Sequence, residues 1–301
     1  MLFSTVSFIP TLSSLRGLMI SYNKMKNRIM QEIDRIVRDH DGNVLCDTGD
    51  PLYDAPLVGF SSISDPMFED LKSIIGPEHF TPSEIYKIRF NEEIRNGTVI
   101  SIVLPLGSRV RESNRSNKIP SKEWAISRTF SETFLKDISS ETESFITKLG
   151  YHAVTPMFSS AYRKYNTPKG PSSVWSERHI AYIAGLGTFS LNDGFITERG
   201  IAIRLISLVT DIVMSPDIRK AETYYENCLY CNKGSCGACI KRCPVGAISE
   251  KGHDKIKCME FVYSDRSDLL LKYGLKENSV PGCGLCQTGV PCEFKNPSKD
   301  H

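Results

Sequence analysis

The stretch CGACIKRCPVGAI, residues 236–248, decides the architecture of the C-terminal part of the chain. Its three cysteines, Cys236, Cys239 and Cys243, are spaced C-x2-C-x3-C and are followed directly by Pro244. Thiolates on one tight turn can bind neighbouring corners of a single iron–sulfur cubane. The three-residue step then carries the next thiolate to the opposite side, where the proline ends the turn. The stretch therefore predicts ligands for two different clusters.

The spacing of the remaining cysteines extends this pattern. Nine of the ten cysteines lie between residues 228 and 292, and residues 47–227 contain none. Bacterial ferredoxins use C-x2-C-x2-C-x3-C-P, in which the fourth cysteine ligates the other cluster. The position three residues before Cys236 is Lys233 in this chain. The first ligand must therefore come across a small insertion, either from Cys231, which nearest spacing favours, or from Cys228.

We therefore predict a bacterial ferredoxin-type domain with two [4Fe–4S] clusters in crossed ligation. One cluster would take either Cys228 or Cys231, together with Cys236, Cys239 and Cys292. The other cluster would take Cys243, Cys258, Cys283 and Cys286. Zinc is the alternative metal, since paired C-x2-C knuckles also bind Zn²⁺. Zinc ribbons usually separate their pairs by about 15–20 residues and need no Cys-Pro step, so we favour the clusters.

Composition and charge place the rest of the chain among ordinary globular proteins. The sequence has 301 residues, of which 24% are charged, and a formal net charge of +2. These values exclude a disordered or coiled-coil chain and provide no global electrostatic argument for a nucleic-acid partner. No apolar run reaches about 18 residues, and the N-terminus lacks the early basic residues of a secretory signal. We expect a cytoplasmic protein that has no membrane partner. Cys46 is expected to be a small, half-buried side chain.

The pattern of helices and strands divides the chain into three parts. Residues 1–24 are expected to be a leader, residues 25–216 an α/β or α+β domain, and residues 217–301 the cysteine-rich domain. Helical patterns cover 25–39, 121–148 and 176–185, and a further helix opens at 65–66. Strands are expected at 56–60, 98–105 and 151–156, with a loop over 157–175 and a hairpin that pairs 195–197 with 201–211.

The domain of residues 25–216 lacks the common nucleotide-binding motifs. It contains no G-x-G-x-x-G after a strand and no P-loop. The glycines of AGLGTFSLNDG, residues 184–194, follow a predicted helix instead of a strand. Two clusters fused to such a domain nevertheless imply that it holds a redox cofactor or a substrate.

A family resemblance extends over both domains, from about residue 120 to 295. The stretch SERHIAYIAGLGTFSLNDGFITERGIAIRLISLVTD, residues 176–211, followed by CGACIKRCPVGAI and CGLCQ, resembles the epoxyqueuosine reductase and reductive dehalogenase superfamily. The family's Glu-Arg pair matches Glu177 and Arg178, its Ala-Gly-Leu-Gly turn matches residues 184–187, and its strand ending in Thr-Asp matches Thr210 and Asp211. The resemblance implies a nitroreductase-like domain that binds a cobamide, followed by a two-cluster ferredoxin-type domain.

The resemblance also implies a reaction and a set of cofactor ligands. Single electrons would pass through the clusters to a base-off cobamide, which would remove oxygen or halogen reductively from an unidentified substrate. The turn glycines would let the backbone approach the corrin, and nearby hydroxyls would hydrogen-bond its amides. The residues assigned to cofactor binding are Glu177, Arg178, Gly185, Leu186, Gly187, Thr188, Ser190, Thr197 and Arg204.

Proton donors or anion clamps are expected on the long helix and in the loop before the glycine turn. The candidate catalytic residues are Arg128, Tyr162, Arg163 and Tyr165. Epoxyqueuosine reductases carry a proton-donating Asp where this chain has Pro171, and often a C-terminal extension that helps to hold tRNA. This sequence ends nine residues after Cys292, so we expect a compact member with a small-molecule substrate and without tRNA as a partner. The expected electron donor is a low-potential ferredoxin or flavodoxin.

Two other functional classes stay open at this point. The chain could be an electron-transfer protein without substrate chemistry of its own, or a nitroreductase-like enzyme that binds flavin. Corrinoid binding, or flavin in the absorption spectrum, would distinguish them.

Overall fold

The computed structural model describes residues 12–116, 118–168, 170–264, 267–276 and 279–300. The helices in these residues are α1 (Leu12–Asp39), α2 (Met67–Ile74), α3 (Pro82–Phe90), α4 (Ser108–Arg115), α5 (Lys122–Lys148), α6 (Glu177–Ile183), α7 (Leu229–Lys233), α8 (Ala238–Arg242), α9 (Lys255–Val262) and α10 (Ser267–Tyr273). The strands are β1 (Leu57–Ser62), β2 (Thr98–Pro105), β3 (Ala153–Val154), β4 (Lys164–Thr167), β5 (Gly170–Ser173), β6 (Gly187–Phe189), β7 (Phe195–Thr197), β8 (Ile203–Thr210), β9 (Ile248–Ser249) and β10 (Gly252–His253). Short 3₁₀ turns cover Pro156–Phe158, Leu285–Gln287 and Pro297–Asp300.

A four-stranded sheet organises the first two-thirds of the chain. Its strand order is β1-β2-β8-β3, and each neighbouring pair is antiparallel. The predicted strand TVISIVLP forms β2 and is buried along its whole length, as its β-branched residues indicate. It pairs with β8 from Thr98 opposite Thr210 to Pro105 opposite Ile203. The fold is therefore a mixed helix and sheet structure of the α+β kind.

Helices cover both faces of this sheet, because successive residues of a strand point to opposite sides. On one face, Ile100 and Ile102 pack with α1 and α5. On the other face, Val99 packs with α2, α3 and α6 around the buried indole of Trp175. The apolar residues predicted for one side of α1 and of α5 thus supply most of the helical side chains in the core on the Ile100 face of the sheet. In α1 the buried residues are Ile29, Ile33, Ile36 and Val37.

Helix α1 corrects the expected leader. It begins at Leu12, so half of the segment 1–24 is helical, and residues 1–11 lie outside the described residues. The helix has 28 residues and ends at Asp39. Neither α1 nor another helix of the described ranges is both long and apolar enough to cross a bilayer.

Two further expectations about local structure are wrong. Segment β7 pairs with β6, not with β8, because β8 lies between β2 and β3 in the central sheet and buries more apolar surface there. The expected loop 157–175 contains the hairpin β4–β5, which pairs Lys164 with Ser173. The strand expected at 151–156 is reduced to the two residues of β3.

A part-buried ion pair joins the cysteine-rich segment to α4. The Glu293 side chain is 2% exposed, and its carboxylate accepts hydrogen bonds from Nε and Nη2 of Arg115, at 3.0 and 2.7 Å. The amide of Ile201 also donates to the carbonyl of Cys292, at 2.8 Å. The cysteine-rich segment is therefore packed directly onto the strand domain.

Candidate cluster sites and the adjoining cleft

Four cysteines line one small cavity, and we term them the first thiol group: Cys228, Cys236, Cys239 and Cys292. Cys228 is the N-cap of α7, and Cys239 lies in α8. Between Cys236 and α8, Gly237 adopts a φ of 116°, a left-handed conformation that favours glycine. The local turns and helices thus place side chains from three segments around the same space.

Four other cysteines form the second thiol group: Cys243, Cys258, Cys283 and Cys286. Burial, together with the neighbouring Cys283 and Cys243, raises the pKa of Cys258 to about 11. Burial and the surrounding thiols likewise hold the pKa of Cys286 well above its usual value. The amide of Ala247 donates a hydrogen bond to the Cys243 sulfur at 3.1 Å. These four thiols are therefore close enough to oppose one another's ionisation.

Each thiol group combines cysteines that are distant in sequence. The first includes Cys292 from the end of the segment, and the second includes Cys243 from its centre. The structure thus brings together the sets that crossed ligation requires, while ligation itself stays a prediction. In the described parts of the chain, no three His, Cys, Asp or Glu side chains are arranged to hold a single metal ion. A cubane binds each of its cysteines through a different iron, so its thiols do not share one metal atom.

Cys46 lies outside both groups, and Cys231 lies at the edge of the first group, with its thiol beside those of Cys228 and Cys239. Cys228 lines the cavity and is 7% exposed, whereas Cys231 is exposed and does not line it. The geometry therefore favours Cys228, against the preference for Cys231 that nearest spacing indicates. Cys46 is exposed, so the expectation of a half-buried side chain is wrong.

A cleft lies beside the second thiol group. It consists of two cavities of about 430 and 490 Å³ that share Lys164. The helix that carries Cys258 borders both parts, through Tyr263 at its C-cap and Lys255 at its first residue. The hairpin β4–β5 and the start of α6 form the opposite wall, and Pro171 of β5 lines the cleft. The cleft therefore lies between the hairpin β4–β5 and the helix that bears Cys258 of the second group.

The cleft carries more positive than negative side chains. The cations are Arg128, Lys164, Arg178, Lys255 and Lys276, and the anions are Glu132 and Asp193. Asp193 is already engaged, since it pairs with His253 at 3.2 Å and with Lys255 at 3.8 Å. The sequence patterns did not assign Lys164, Lys255 or Lys276 to a cofactor or substrate site, because isolated lysines carry no sequence signal.

The four candidate catalytic residues separate in the structure. Arg128 and Tyr162 line the cleft. Arg163 instead pairs with Glu78 at 2.6 Å in an exposed ion pair, and Tyr165 directs its hydroxyl at Gly76, where that oxygen is buried without a hydrogen-bond partner. Arg163 and Tyr165 are therefore not brought to the cleft.

Glu177 is the unusual acid next to the cleft. Both carboxylate oxygens are buried and make no hydrogen bond of normal geometry, although Ser207 lies beside them. Burial raises the pKa of Glu177 to about 7. Burial also raises the pKa of Tyr162, with Ser173 opposing this and Glu177 adding to it. The adjacent Arg178 lines the cleft and donates to the Asp193 carbonyl.

The glycine turn is occupied mainly by contacts within the protein. Gly185, Leu186 and Gly187 line a separate cavity of about 440 Å³, and a Cβ on Gly187 would overlap the carbonyl of Ile196. Gly185 follows α6 with a φ of 75°, as helix C-termini often require. The need for glycine at residue 187 is thus explained by packing, without a corrin.

The three hydroxyls expected to bind corrin amides are also engaged. Thr188 accepts from the amide of Asn227 at 2.9 Å. Ser190 donates to the carbonyl of Gly194 at 3.0 Å, and Thr197 donates to that of Gly200 at 3.0 Å. All three side chains are buried. The expected contacts between these hydroxyls and a corrin are therefore not supported.

Thr288 anchors the turn that carries two cysteines of the second thiol group. It is fully buried, accepts from the Asn114 amide at 3.2 Å and donates to the carbonyl of Gly284 at 3.2 Å. Thr288→Val would leave both partners buried without this hydroxyl, so we expect a loss of about 2 kcal/mol of stability. Thermal unfolding followed by circular dichroism under anaerobic conditions measures it. Thr288→Ser is the control, and equal melting temperatures for the two variants would contradict the assignment.

Curated relatives match a little under half of this chain. An epoxyqueuosine reductase from Bacillus anthracis is 33% identical over 128 residues, which are 42% of this chain and 30% of that protein. The enzyme of the same name from Bacillus subtilis (strain 168) is 32% identical over 129 residues. The match thus spans less than a third of the length of these relatives. No protein-family profile matches the chain.

Solved structures extend the similarity to most of the chain. A selenomethionine-labelled epoxyqueuosine reductase superposes with a TM-score of 0.55 at 18% identity and covers 90% of this chain and 66% of that protein. A catabolic reductive dehalogenase superposes with a TM-score of 0.50 at 15% identity, over 81% of this chain and 30% of that one. The resemblance predicted from the motifs is confirmed: the chain is similar in sequence to epoxyqueuosine reductases and in fold to both these enzymes and reductive dehalogenases.

Proposed function

We propose that the protein is a reductase that passes single electrons through two [4Fe–4S] clusters to a cobamide in the cleft. The observation that carries this proposal is the presence of two separate groups of four thiols, one of them beside the cleft. The first thiol group would hold one cluster and the second thiol group the other. The similarity to epoxyqueuosine reductases supports the reductase class.

The thiol environment suits a bound cluster better than free thiols. The thiols of the second group are held together although burial and mutual repulsion oppose their ionisation. The positive charge of iron offsets this cost, since metal ligation requires the thiolate form. The amide of Ala247 already points at the Cys243 sulfur, and such bonds tune cluster potentials. The residues present therefore fit the clusters.

The cleft is the proposed cofactor and substrate site. A bound cobamide would supply the metal centre for the two-electron removal of oxygen or halogen, with both electrons arriving singly through the clusters from the external donor. The two cavities of the cleft share Lys164, and side chains from both domains line them. Arg178 and Lys255, which line the cleft, would hold the cofactor's polar groups, and Arg128 and Lys276 would hold an anionic group of the substrate. Residues 217–301 would form the domain that holds both clusters.

The proposed proton source lies behind the cleft wall. Tyr162 lines the cleft, and the Glu177 carboxyl next to it is buried and unpartnered. Because the pKa of Glu177 is raised to about 7, this carboxyl holds a proton in part of the molecules at neutral pH. The Tyr162 hydroxyl would deliver a proton to the substrate and regain one from Glu177. This pair would supply the proton where Pro171 occupies the family's Asp position.

The expectation that tRNA is not a partner needs correction. An epoxyqueuosine reductase solved with an epoxyqueuosine-modified tRNA stem loop has a TM-score of 0.54 to this chain. That expectation is therefore not supported, and an RNA stem loop belongs among the substrates to be tested beside small molecules. A ferredoxin or flavodoxin stays the proposed electron donor.

Anaerobic reconstitution with iron, sulfide and cobalamin tests the proposal. We expect about eight irons per chain, because each cubane contains four, and a change in the cobalamin absorption spectrum that saturates with protein. A full iron content without a change in the cobalamin spectrum would overturn the cobamide and indicate an electron-transfer protein without substrate chemistry of its own. Two zinc ions and no iron would overturn the cluster assignment, and a flavin spectrum would overturn the choice of cofactor.

A further inference from the structure

Arg204 is a part-buried cation without a carboxylate partner in the described residues. It lies on β8 opposite Leu104, and its one hydrogen bond runs to the carbonyl of Ile203, at 3.0 Å. Burial lowers the pKa of Arg204, with Tyr53 opposing this and Arg128 adding to it. A buried charge without an ion-pair partner is costly. Its placement therefore requires an explanation outside the strand itself.

The guanidinium of Arg204 contacts Trp124, a side chain that packs against a turn of the second thiol group. It lies 5.7 Å from the ring centroid of Trp124. The same indole packs against Gly284, where a Cβ would overlap the ring. Gly284 is the residue between Cys283 and Leu285 in the C-x2-C turn. Arg204 and the turn that bears two cysteines thus contact one side chain.

Arg128 flanks the same turn from the other end. A Cβ on Gly282 would lie 2.9 Å from Cγ of Arg128, and Gly282 directly precedes Cys283. Arg128 makes one weak side-chain hydrogen bond, to Ser131 at 3.4 Å, and no ion pair within the described ranges. Two arginine charges that no carboxylate neutralises therefore lie behind the turn of Cys283 and Cys286.

We propose that Arg204 and Arg128 raise the reduction potential of the cluster held by the second thiol group, so that an arriving electron settles on the cluster beside the cleft. This inference rests on the proposed function, because it requires the clusters. One electron comes from the external low-potential donor and adds one negative charge to the cluster. Two nearby positive charges stabilise that reduced state, and low-dielectric surroundings strengthen their effect.

The test is a potentiometric titration of the reconstituted protein, followed by electron paramagnetic resonance. Arg204→Gln and Arg128→Gln are each expected to lower the midpoint of one cluster, with up to a tenfold smaller reduced-to-oxidised ratio at a fixed potential, or about 59 mV for a one-electron couple. Arg204→Lys keeps the charge and should largely preserve the midpoint. The affected signal should be the one that Cys258→Ser perturbs.

Arg199→Gln is the matched control, because Arg199 is a partly exposed arginine that pairs with Asp54 at 3.2 Å. If the wild-type protein binds no iron after reconstitution, the proposed function itself is contradicted. A protein with both clusters whose midpoints do not change in the glutamine variants overturns this inference alone, as does an equal shift of both clusters. If Arg204→Gln does not fold, Arg128→Gln decides the question, since Arg128 lines the cleft whereas Arg204 packs against Trp124.

Discussion

Replacing Cys228 with serine is expected to remove about half of the iron from the reconstituted protein, whereas Cys231→Ser should leave the iron content near the wild-type value. Cys228 lines the cavity with Cys236, Cys239 and Cys292, and Cys231 is exposed beside it. A cubane that lacks one of its four thiolates is held by three ligands and loses iron readily. The two substitutions are chemically identical and three residues apart, so they serve as each other's control.

Iron and sulfide analysis after anaerobic reconstitution measures this prediction, and the cluster absorbance provides a second readout. Cys286→Ser is expected to remove the other half of the iron, because the other three thiols of the second group surround Cys286. Loss of iron in Cys231→Ser together with retention in Cys228→Ser would reverse the ligand assignment. Full iron in all three variants would contradict both thiol groups as cluster sites.

Glu177→Gln is expected to stabilise the protein by about 3 kcal/mol at pH 8, the value that corresponds to raising a carboxyl pKa from 4.5 to about 7. Between pH 4.5 and about pH 7 the folded protein holds a proton on Glu177 that the unfolded chain has already released. Wild-type stability should therefore fall as the pH rises from 4.5 to about 7 and stay level above it, as far as Glu177 contributes. Glutamine is neutral throughout, so the variant lacks this part of the slope.

Melting temperatures of the wild type and of Glu177→Gln, compared from pH 5 to pH 8, measure the effect as a difference that widens with pH. Glu92→Gln removes an exposed carboxylate and is the matched control, for which we expect a small and constant difference. A Glu177→Gln variant that is less stable than the wild type at pH 8 would show that the carboxylate has a partner that stabilises its charge. A constant difference would show that its pKa is ordinary.

Local sequence patterns predicted the elements whose stability is set by nearby residues. The β-branched run 98–105 became β2, and the helix over 121–148 became α5 with Ser121 as its N-cap. The predicted hairpin between β7 and β8 was wrong. Adjacency in sequence favours such a hairpin, but β8 pairs with β2 along its whole length and β7 pairs with β6. Helix α1 was also longer than its apolar stripe suggested.

The cysteine spacing by itself predicted which residues are candidate cluster ligands and the crossed order in which they would combine, because ligand spacing on a short turn is a local property of the chain. Only the tertiary structure decided the rest. It favours Cys228 over Cys231, brings Arg128 and Tyr162 to the cleft but not Arg163 or Tyr165, and leaves Glu177 and Arg204 without charge partners. These features depend on contacts between segments up to about 160 residues apart, such as Trp124 with Gly284, and on burial, which no local pattern encodes.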